Sequence, residues 1–305
     1  MQLSQTVPIR TPDDPSESPW QRAAVDFFAS RGAGFGIAAL FVLIVAAAVA
    51  PWITPQNPYD LTQLNLANAY LAPGQVGSSG YTHALGTDDQ GRDLYSAIVY
   101  GLRTSLLVGL ICTAVALAIG LAGGLAAAFF GGWPDTLIMR LVDLFLAFPP
   151  VLLALILASL LGGGLENVMI ALVAARWAFF ARTVRGAALV ETRKEYIEAA
   201  RSLGLSNTRI LFGHLLPNSV PPVIVVATIT VAQAIVLEAT LSFLGVGTAL
   251  TEPSLGRLIA NGYVYLLSGE YWISVFPGLA LLLTMMAINL VGDRLREVLD
   301  PRLQK

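Results

Sequence analysis

Long apolar stretches with few or no charged residues alternate along this chain with short polar segments. Six of the apolar stretches have about the length of a membrane-spanning helix, which requires roughly 20 mostly apolar residues. They cover residues 34–50, 105–130, 137–161, 168–184, 219–244 and 271–291. The pattern therefore predicts an all-α membrane protein with six transmembrane helices and both termini on the same side of the membrane.

The first stretch has an alternative interpretation as a secretory signal, because Ala48-Val49-Ala50 resembles a cleavage site. Its apolar run is longer than the roughly 7–15 residues of a signal core, and the leader before it is long and partly acidic. We therefore expect an uncleaved first transmembrane helix. Within the leader, the proline-rich residues 1–19 predict a poorly ordered tail, and residues 20–30 predict a helix along the membrane surface.

Glycine and proline mark close contacts and breaks in the later stretches. Gly120 and Gly124 form a GxxxG pair, which lets another helix approach closely. Phe148-Pro149-Pro150 predicts a kink in the third stretch, because proline removes amide donors from the helical ladder. Residues 131–135 predict a turn before that stretch, and Pro277 lies inside the sixth.

The composition supports a membrane protein. Hydrophobic residues make up 55% of the chain and charged residues 12%, with a mean hydropathy of +0.68, whereas a soluble domain has about 25% charged residues. The excess of apolar residues is therefore expected to face lipid. The single cysteine, Cys112, lies in an apolar stretch and is expected to be a buried hydrophobic residue.

The distribution of lysine and arginine predicts the orientation, because cytoplasmic loops carry an excess of these residues. With the termini and residues 191–218 in the cytoplasm, all but four of the 18 Lys and Arg residues lie on that side. The exceptions are Arg92, Arg103 and Arg257 on the outer side and Arg176 within a span.

Residues 191–218, called the charged segment below, separate two of the apolar stretches. The apolar residues of its first half recur at helical spacing, which predicts an amphipathic helix. They are Tyr196, Ile197, Ala200 and Leu203. Gly204 is placed to end this helix in the left-handed conformation that glycine adopts without strain.

A second short helix is predicted after this turn. Ser206 is placed to cap it, with Leu205 and Ile210 as a hydrophobic staple. Pro217 is expected where this helix stops or turns into the next apolar stretch. The charged segment thus predicts a helix–turn–helix outside the bilayer.

The exposed side of the first helix is a candidate contact surface. The small residues Ala199 and Ala200 would let a partner approach closely, and Arg201 would hold Glu198 in place or pair with the partner itself. By charge alone, an ordinary solvated connector between two helices is the alternative.

The polar loop between the first two spans contains the run LGTDDQGRDL at residues 85–94. Its three aspartates and Gly91 suggest a calcium loop, but the regular alternation and final glutamate of an EF-hand are absent. The alternative is a tight turn that leads into the next helix.

Charged residues inside the predicted spans are candidates for function, because charge is costly within a bilayer. Arg176 is expected near mid-bilayer, and two roles stay open for it: lining a path for a carboxylate, or pairing with Asp143 or an acid on another subunit. Asp143 itself is expected to pair with Arg140, three residues before it. Glu238 is expected near the outer end of the fifth helix.

Motifs of several enzyme classes are missing. Without a GxxxxGK[ST] loop the chain is not expected to bind ATP, and without HExxH, CxxC or paired histidines we predict no metal site. Gly77-Ser78-Ser79-Gly80 lacks the GxSxG elbow of a hydrolase despite the nearby His83. We therefore expect no catalytic residues; a secondary transporter is the alternative class, although no inverted repeat is evident.

Four motifs in order resemble the membrane subunits of ABC importers of the peptide/nickel group. They are LGTDxxGRD at 85–93, an EAA loop at 198–217, ExxLSFLGxG at 238–247, and a tail with GD-LR at 292–296 and Asp300-Pro301. The resemblance runs from about residue 85 to residue 302. Leu255, directly before Gly256, departs from the tryptophan common in the family, which affects only local packing of the outer loop.

The resemblance implies a type I ABC importer permease fold in the bacterial inner membrane. The implied partners are a second permease subunit, two cytoplasmic ATP-binding subunits and an external solute-binding protein. ATP and Mg²⁺ would be bound by those ATPases, with no cofactor on this chain. Import of di- or oligopeptides is the expected function, with nickel chelates, glutathione or other conjugates as alternatives.

The family's EAA loop is the coupling helix that docks on the ATPase. The matching residues here are Tyr196, Glu198, Ala199, Ala200, Arg201, Gly204, Leu216 and Pro217. The residues placed by motif or charge at a possible gate or path are Arg92, Asp93, Asp143, Arg176 and Glu238.

The chain is accordingly expected to divide into five parts. They are a cytoplasmic tail with an interfacial helix (1–32), a first transmembrane helix (33–53), an outer loop (54–101), a five-helix core (102–294) that includes the coupling loop (188–217), and a cytoplasmic tail (295–305).

The predicted orientation can be tested by labelling. With Cys112 first replaced, a cysteine at Gln75 should react with an impermeant thiol reagent added outside intact cells, and a cysteine at Asn207 should not. The opposite labelling pattern would invert the topology.

Overall fold

The computed structural model describes residues 27–247 and 252–299. The predicted tail over residues 1–19, most of the predicted surface helix and residues 300–305, including Asp300-Pro301, lie outside the described residues.

The described chain is mostly helical. Its helices are α1 (Arg31–Ala48), α2 (Ala50–Ile53), α3 (Leu94–Phe130), α4 (Gly132–Leu146), α5 (Pro150–Leu161), α6 (Leu165–Thr192), α7 (Glu195–Ser202), α8 (Asn207–Ile210), α9 (Leu216–Phe243), α10 (Leu255–Tyr263) and α11 (Trp272–Leu299). A π-helical turn, Leu211–Leu215, joins α8 to α9. The loop between α2 and α3 contains two short 3₁₀ turns and an antiparallel hairpin of β1 (Gln75–Val76) and β2 (Thr82–His83).

Five of the described helices are long and apolar enough to cross a membrane, and the bent pair α4–α5 makes six if it counts as one span. This confirms the predicted helical membrane fold. The second span begins at Leu94 and not at the predicted residue 105, since the polar start of α3 is capped by Asp93.

The third span is bent more sharply than a kink, because α4 and α5 meet at 89°. Pro149 has an extended backbone (φ −56°, ψ 131°), and Pro150 opens α5 at a position where no intrahelical amide donor is needed. The turn predicted over residues 131–135 is shorter than expected. Gly131 (φ +61°) and Gly132 (φ +55°) make it, and the following residues belong to the first turn of α4.

Pro217 does not stop the helix but lies where it continues into the next apolar stretch, which is the second of the two predicted possibilities. The chain passes from α8 through the π-helical turn into α9. Side chains bond to carbonyls of that turn: Asn218 donates from Nδ2 to the His214 carbonyl at 2.7 Å, and Ser219 donates from Oγ to the Leu215 carbonyl at 2.8 Å. The wider turn accommodates a proline that would otherwise break the ladder.

Helices α3, α6 and α9 form the centre of the molecule. Val108 and Cys112 of α3 share a buried cluster with Leu172 of α6 and Leu241 of α9. Cys112 is 2% exposed, which confirms it as a buried hydrophobic residue.

The GxxxG pair sets the distance between α3 and α6, as predicted. A Cβ atom on Gly120 would lie 2.4 Å from Cβ of Phe180, and one on Gly124 would lie 2.5 Å from the carbonyl oxygen of Ala181. Because a methyl group cannot fit at either position without moving backbone, the two helices touch along these glycines.

This contact predicts opposite effects of two glycine substitutions on α3. Gly120→Ala should lower the melting temperature in detergent, by overpacking that costs about 1–3 kcal/mol. Gly123→Ala is the matched control and should raise the melting temperature. Its Cβ would lie 3.8 Å from the nearest side-chain atom, and alanine is favoured over glycine in a helix by about 1 kcal/mol. Equal melting temperatures for the two variants would contradict the proposed contact.

Candidate functional site

The turn of the charged segment is built by local backbone hydrogen bonds. Helix α7 ends at Ser202, and Gly204 follows with φ +71°. The amide of Gly204 donates to the Arg201 carbonyl at 2.9 Å, and that of Leu205 to the Ala200 carbonyl at 3.2 Å. These two bonds form a Schellman motif, which requires a left-handed residue at Gly204. The prediction that Gly204 ends the helix in the left-handed conformation is confirmed.

The second helix begins as predicted. The Ser206 hydroxyl accepts from the Arg209 amide at 3.4 Å and caps α8. Ile210 is buried together with Ile197 and Ala200, and Leu205 packs against the same cluster. The helix–turn–helix therefore has a small apolar core, against which Phe129 of α3 also packs.

The two alanines of the first helix face different ways. Ala199 is exposed, but Ala200 is only 5% exposed and packs inside this small core. The expectation that both alanines lie open to a partner is therefore wrong for Ala200, because the helical period places it on the same side as Ile197. Leu203, expected on the apolar side, is 79% exposed at the end of α7.

Glu198 and Arg201 do not pair with each other. Among the described ion pairs none includes Glu198, which is exposed. The Arg201 guanidinium instead lies 5.9 Å from the ring centroid of Phe129, at the end of α3. This leaves the Glu198 carboxylate at an exposed surface formed with Ala199 and Leu203.

A buried carboxylate that the sequence pattern did not reveal joins α6 to α7. Glu191 is 9% exposed and accepts from Lys194 Nζ and from the Tyr196 hydroxyl, both at 2.7 Å. Partial burial and the hydrogen bond to Glu191 raise the pKa of Tyr196 to about 12. Tyr196 is thus a neutral donor that holds α7 against the end of α6, and its ring also lies near His214.

The LGTDDQGRDL run forms a buried turn, which matches the tight-turn alternative. Arg92 is 1% exposed and donates from Nε to Asp88 at 2.6 Å. Asp93 is fully buried, caps α3 by accepting from the Ser96 amide at 2.8 Å, and contacts Nδ1 of His83 at 3.0 Å. Both candidate residues, Arg92 and Asp93, are therefore buried and stabilise the loop.

Ion pairs between helices, and not within one, hold α4 against α6. Asp143 pairs with Arg182 of α6, so the expected pair with Arg140 is wrong. The Asp135 carboxylate accepts hydrogen bonds from Nε and Nη2 of Arg185, at 2.5 and 2.6 Å, in a bidentate ion pair. Both acids reach across because α4 packs on α6, a relation that sequence spacing does not contain.

Glu238 lies near the end of α9, as expected, and is completely buried. It accepts from Ser242 Oγ at 2.7 Å and from Ser105 Oγ of α3 at 3.2 Å. Ser254, which caps α10, is a further hydroxyl contact. Glu238 thus joins α3, α9 and α10 on the side of the α2–α3 loop.

Arg176 bonds to a neutral partner on another helix. Its Nη1 donates to Oε1 of Gln233 in α9 at 2.9 Å. Since Asp143 pairs with Arg182, the alternative in which Asp143 neutralises Arg176 is excluded. Arg176 and Gln233 are the polar side chains that the fold brings together in the middle of two long helices.

Comparison with known proteins places this chain in a family. The profile described as "Binding-protein-dependent transport system inner membrane component" matches residues 116–305, and that of the "N-terminal TM domain of oligopeptide transport permease C" matches residues 18–73. A putative peptide transport system permease of Brucella suis is 40% identical over 291 residues, 95% of each chain.

Two further relatives have more specific names. A dipeptide transport system permease of Alkalihalophilus pseudofirmus is 35% identical over 313 residues and covers 100% of both chains. A glutathione transport system permease of Pectobacterium atrosepticum is 38% identical over 268 residues, 88% of this chain and 86% of that one.

A solved structure shares the fold. A chain of the methionine ABC transporter MetNI, in an inward-facing conformation, aligns with a TM-score of 0.55 at 24% identity and covers 67% of this chain and 97% of that chain. The predicted importer-permease fold is thereby confirmed.

Proposed function

The chain belongs to the family of binding-protein-dependent transport system inner membrane components, and we propose that it imports peptides as one of two permease subunits of an ATP-driven transporter. It is a multi-pass protein of the inner membrane and a permease of the ABC importer type. The match of the family profile over residues 116–305 is the observation that carries the proposal.

Peptides are the proposed solute because the relatives that cover the full chain are named for peptide or dipeptide transport. The match of residues 18–73 to an oligopeptide permease domain supports the same class. Glutathione, itself a tripeptide, is the second candidate, favoured by the relative of that name.

We propose that the charged segment is the contact with a cytoplasmic ATPase. Its exposed surface offers a carboxylate at Glu198, a small residue at Ala199 and an apolar side chain at Leu203. Apolar contact with a charged rim is a combination that suits docking into a groove of a partner. ATP and Mg²⁺ would bind to that partner, and this chain would bind neither.

The segment is suited to transmit movement because its parts are joined rigidly. The Schellman turn and the cluster around Ile210 fix α7 relative to α8. Glu191 ties α7 to α6, and the π-helical turn continues α8 into α9. A displacement of α7 by the ATPase would therefore move α6 and α9 together, which changes access to the path between two permeases.

The remaining partners are proposed from the family. A second permease would complete the path, and an external solute-binding protein would deliver the peptide to the side on which the α2–α3 loop lies.

Reconstitution tests this function. Proteoliposomes that contain this chain, its second permease and the ATPases should accumulate a labelled dipeptide only with ATP inside and binding protein outside. Uptake that persists without ATP and follows an ion gradient would identify a secondary transporter and contradict the proposal.

The coupling role predicts that Gly204→Val abolishes uptake while membrane insertion stays normal. A β-branched residue at φ +71° costs about 1–3 kcal/mol of strain, so the turn between α7 and α8 reorganises. Gly213→Ala is the matched control, because both glycines have open space around them and only Gly204 needs a positive φ. Uptake by a fully inserted Gly204→Val complex equal to that of the control would show that this turn does not couple.

A further inference from the structure

We propose that Arg176 and Gln233 form a binding site for the carboxylate of the transported solute, halfway across the membrane. The proposal rests on the proposed function, since it assigns the site to the path of that solute. Three observations support it: depth, exposure and charge.

The two side chains lie at the same depth. Arg176 is 11 residues from the start of α6, and Gln233 is ten residues from the end of α9. At about 1.5 Å per residue these offsets are roughly 16 and 15 Å, which is half of the ~30 Å hydrocarbon core. Their hydrogen bond of 2.9 Å confirms that the two positions meet.

The Gln233 side chain is exposed in the middle of the membrane-spanning helix α9, where a polar group in contact with lipid is unfavourable. From Val223 to Ser242 of α9 it is the one exposed residue in this stretch of the described chain. An amide in contact with lipid tails has no hydrogen-bonding partner, so such exposure is costly. The surface at Gln233 is therefore expected to face water or a polar ligand and not lipid.

Arg176 carries a charge that nothing in the described chain neutralises. None of the ion pairs among the described residues includes it, and its Nε is buried without an acceptor. Its bond to the amide oxygen of Gln233 leaves the Gln233 amino group as a donor beside the guanidinium. Two neighbouring donors with one positive charge suit a carboxylate, which accepts hydrogen bonds at both oxygens.

Uptake of two dipeptides tests the site in the reconstituted complex: one with a free carboxylate and one with a C-terminal amide. Arg176→Gln should slow uptake of the free acid by about 10- to 100-fold, as expected for loss of a hydrogen bond to a charged group. Uptake of the amide, expressed relative to wild type, should be unchanged. Arg182→Gln removes the same charge from the same helix and should affect neither peptide selectively.

Each other outcome has a distinct meaning. If the wild-type complex takes up neither peptide, the proposed function fails. If it transports peptide and Arg176→Gln matches it, the carboxylate site is wrong. If Arg176→Gln loses both peptides equally and no longer co-purifies with the second permease, Arg176 pairs with an acid of that subunit, which also overturns the proposal.

Thiol labelling gives a second test that does not depend on the binding protein. In a complex with Cys112→Ala and Gln233→Cys, an anionic methanethiosulfonate should react faster than a neutral one, and adding Arg176→Gln should remove that preference. Saturating free-acid dipeptide should slow the reaction. A cysteine that reacts in neither the ATP-bound nor the nucleotide-free state would show that the position is closed to water and overturn the site.

Discussion

Within the hydrocarbon core of a bilayer no water is present to bond polar groups, and each one must find its partner inside the protein. The positions of the polar side chains in this chain follow from that constraint. The carboxylate of Glu238 is surrounded by serine hydroxyls. Arg176 and Gln233 meet this constraint only in part, because they bond to each other while the Arg176 Nε has no acceptor among the described residues.

Close packing supplies the rigidity that transport by such a chain requires. Gly120 and Gly124 bring α3 into contact with the backbone of α6. The same α6 carries Arg182 and Arg185, which hold α4, and ends at Glu191, which holds α7. A force applied to the charged segment is thus passed to a helix that most of the described spans contact.

The loop between α2 and α3 is held by charge buried within itself. Arg92 and Asp88 form a pair without solvent contact, and Asp93 both caps α3 and contacts His83. Trp272 of α11 donates to the carbonyl of Thr87 at 3.1 Å, so the loop is also tied to the last described helix. Two of the three aspartates of this motif, Asp88 and Asp93, therefore have partners in the chain and stabilise the fold.

The sequence by itself determined the features that depend on neighbouring residues. Hydropathy over about 20 residues identified the spans, and the left-handed Gly204 and the capping Ser206 set the turn of the charged segment, because backbone conformation is a local property. Only the tertiary structure decided which residues far apart in sequence meet. Asp143 pairs with Arg182 and not with Arg140, and Arg176 bonds to Gln233. Those contacts depend on how the helices cross, and helix crossing is set by packing over the whole chain, for which spacing along one helix carries no information.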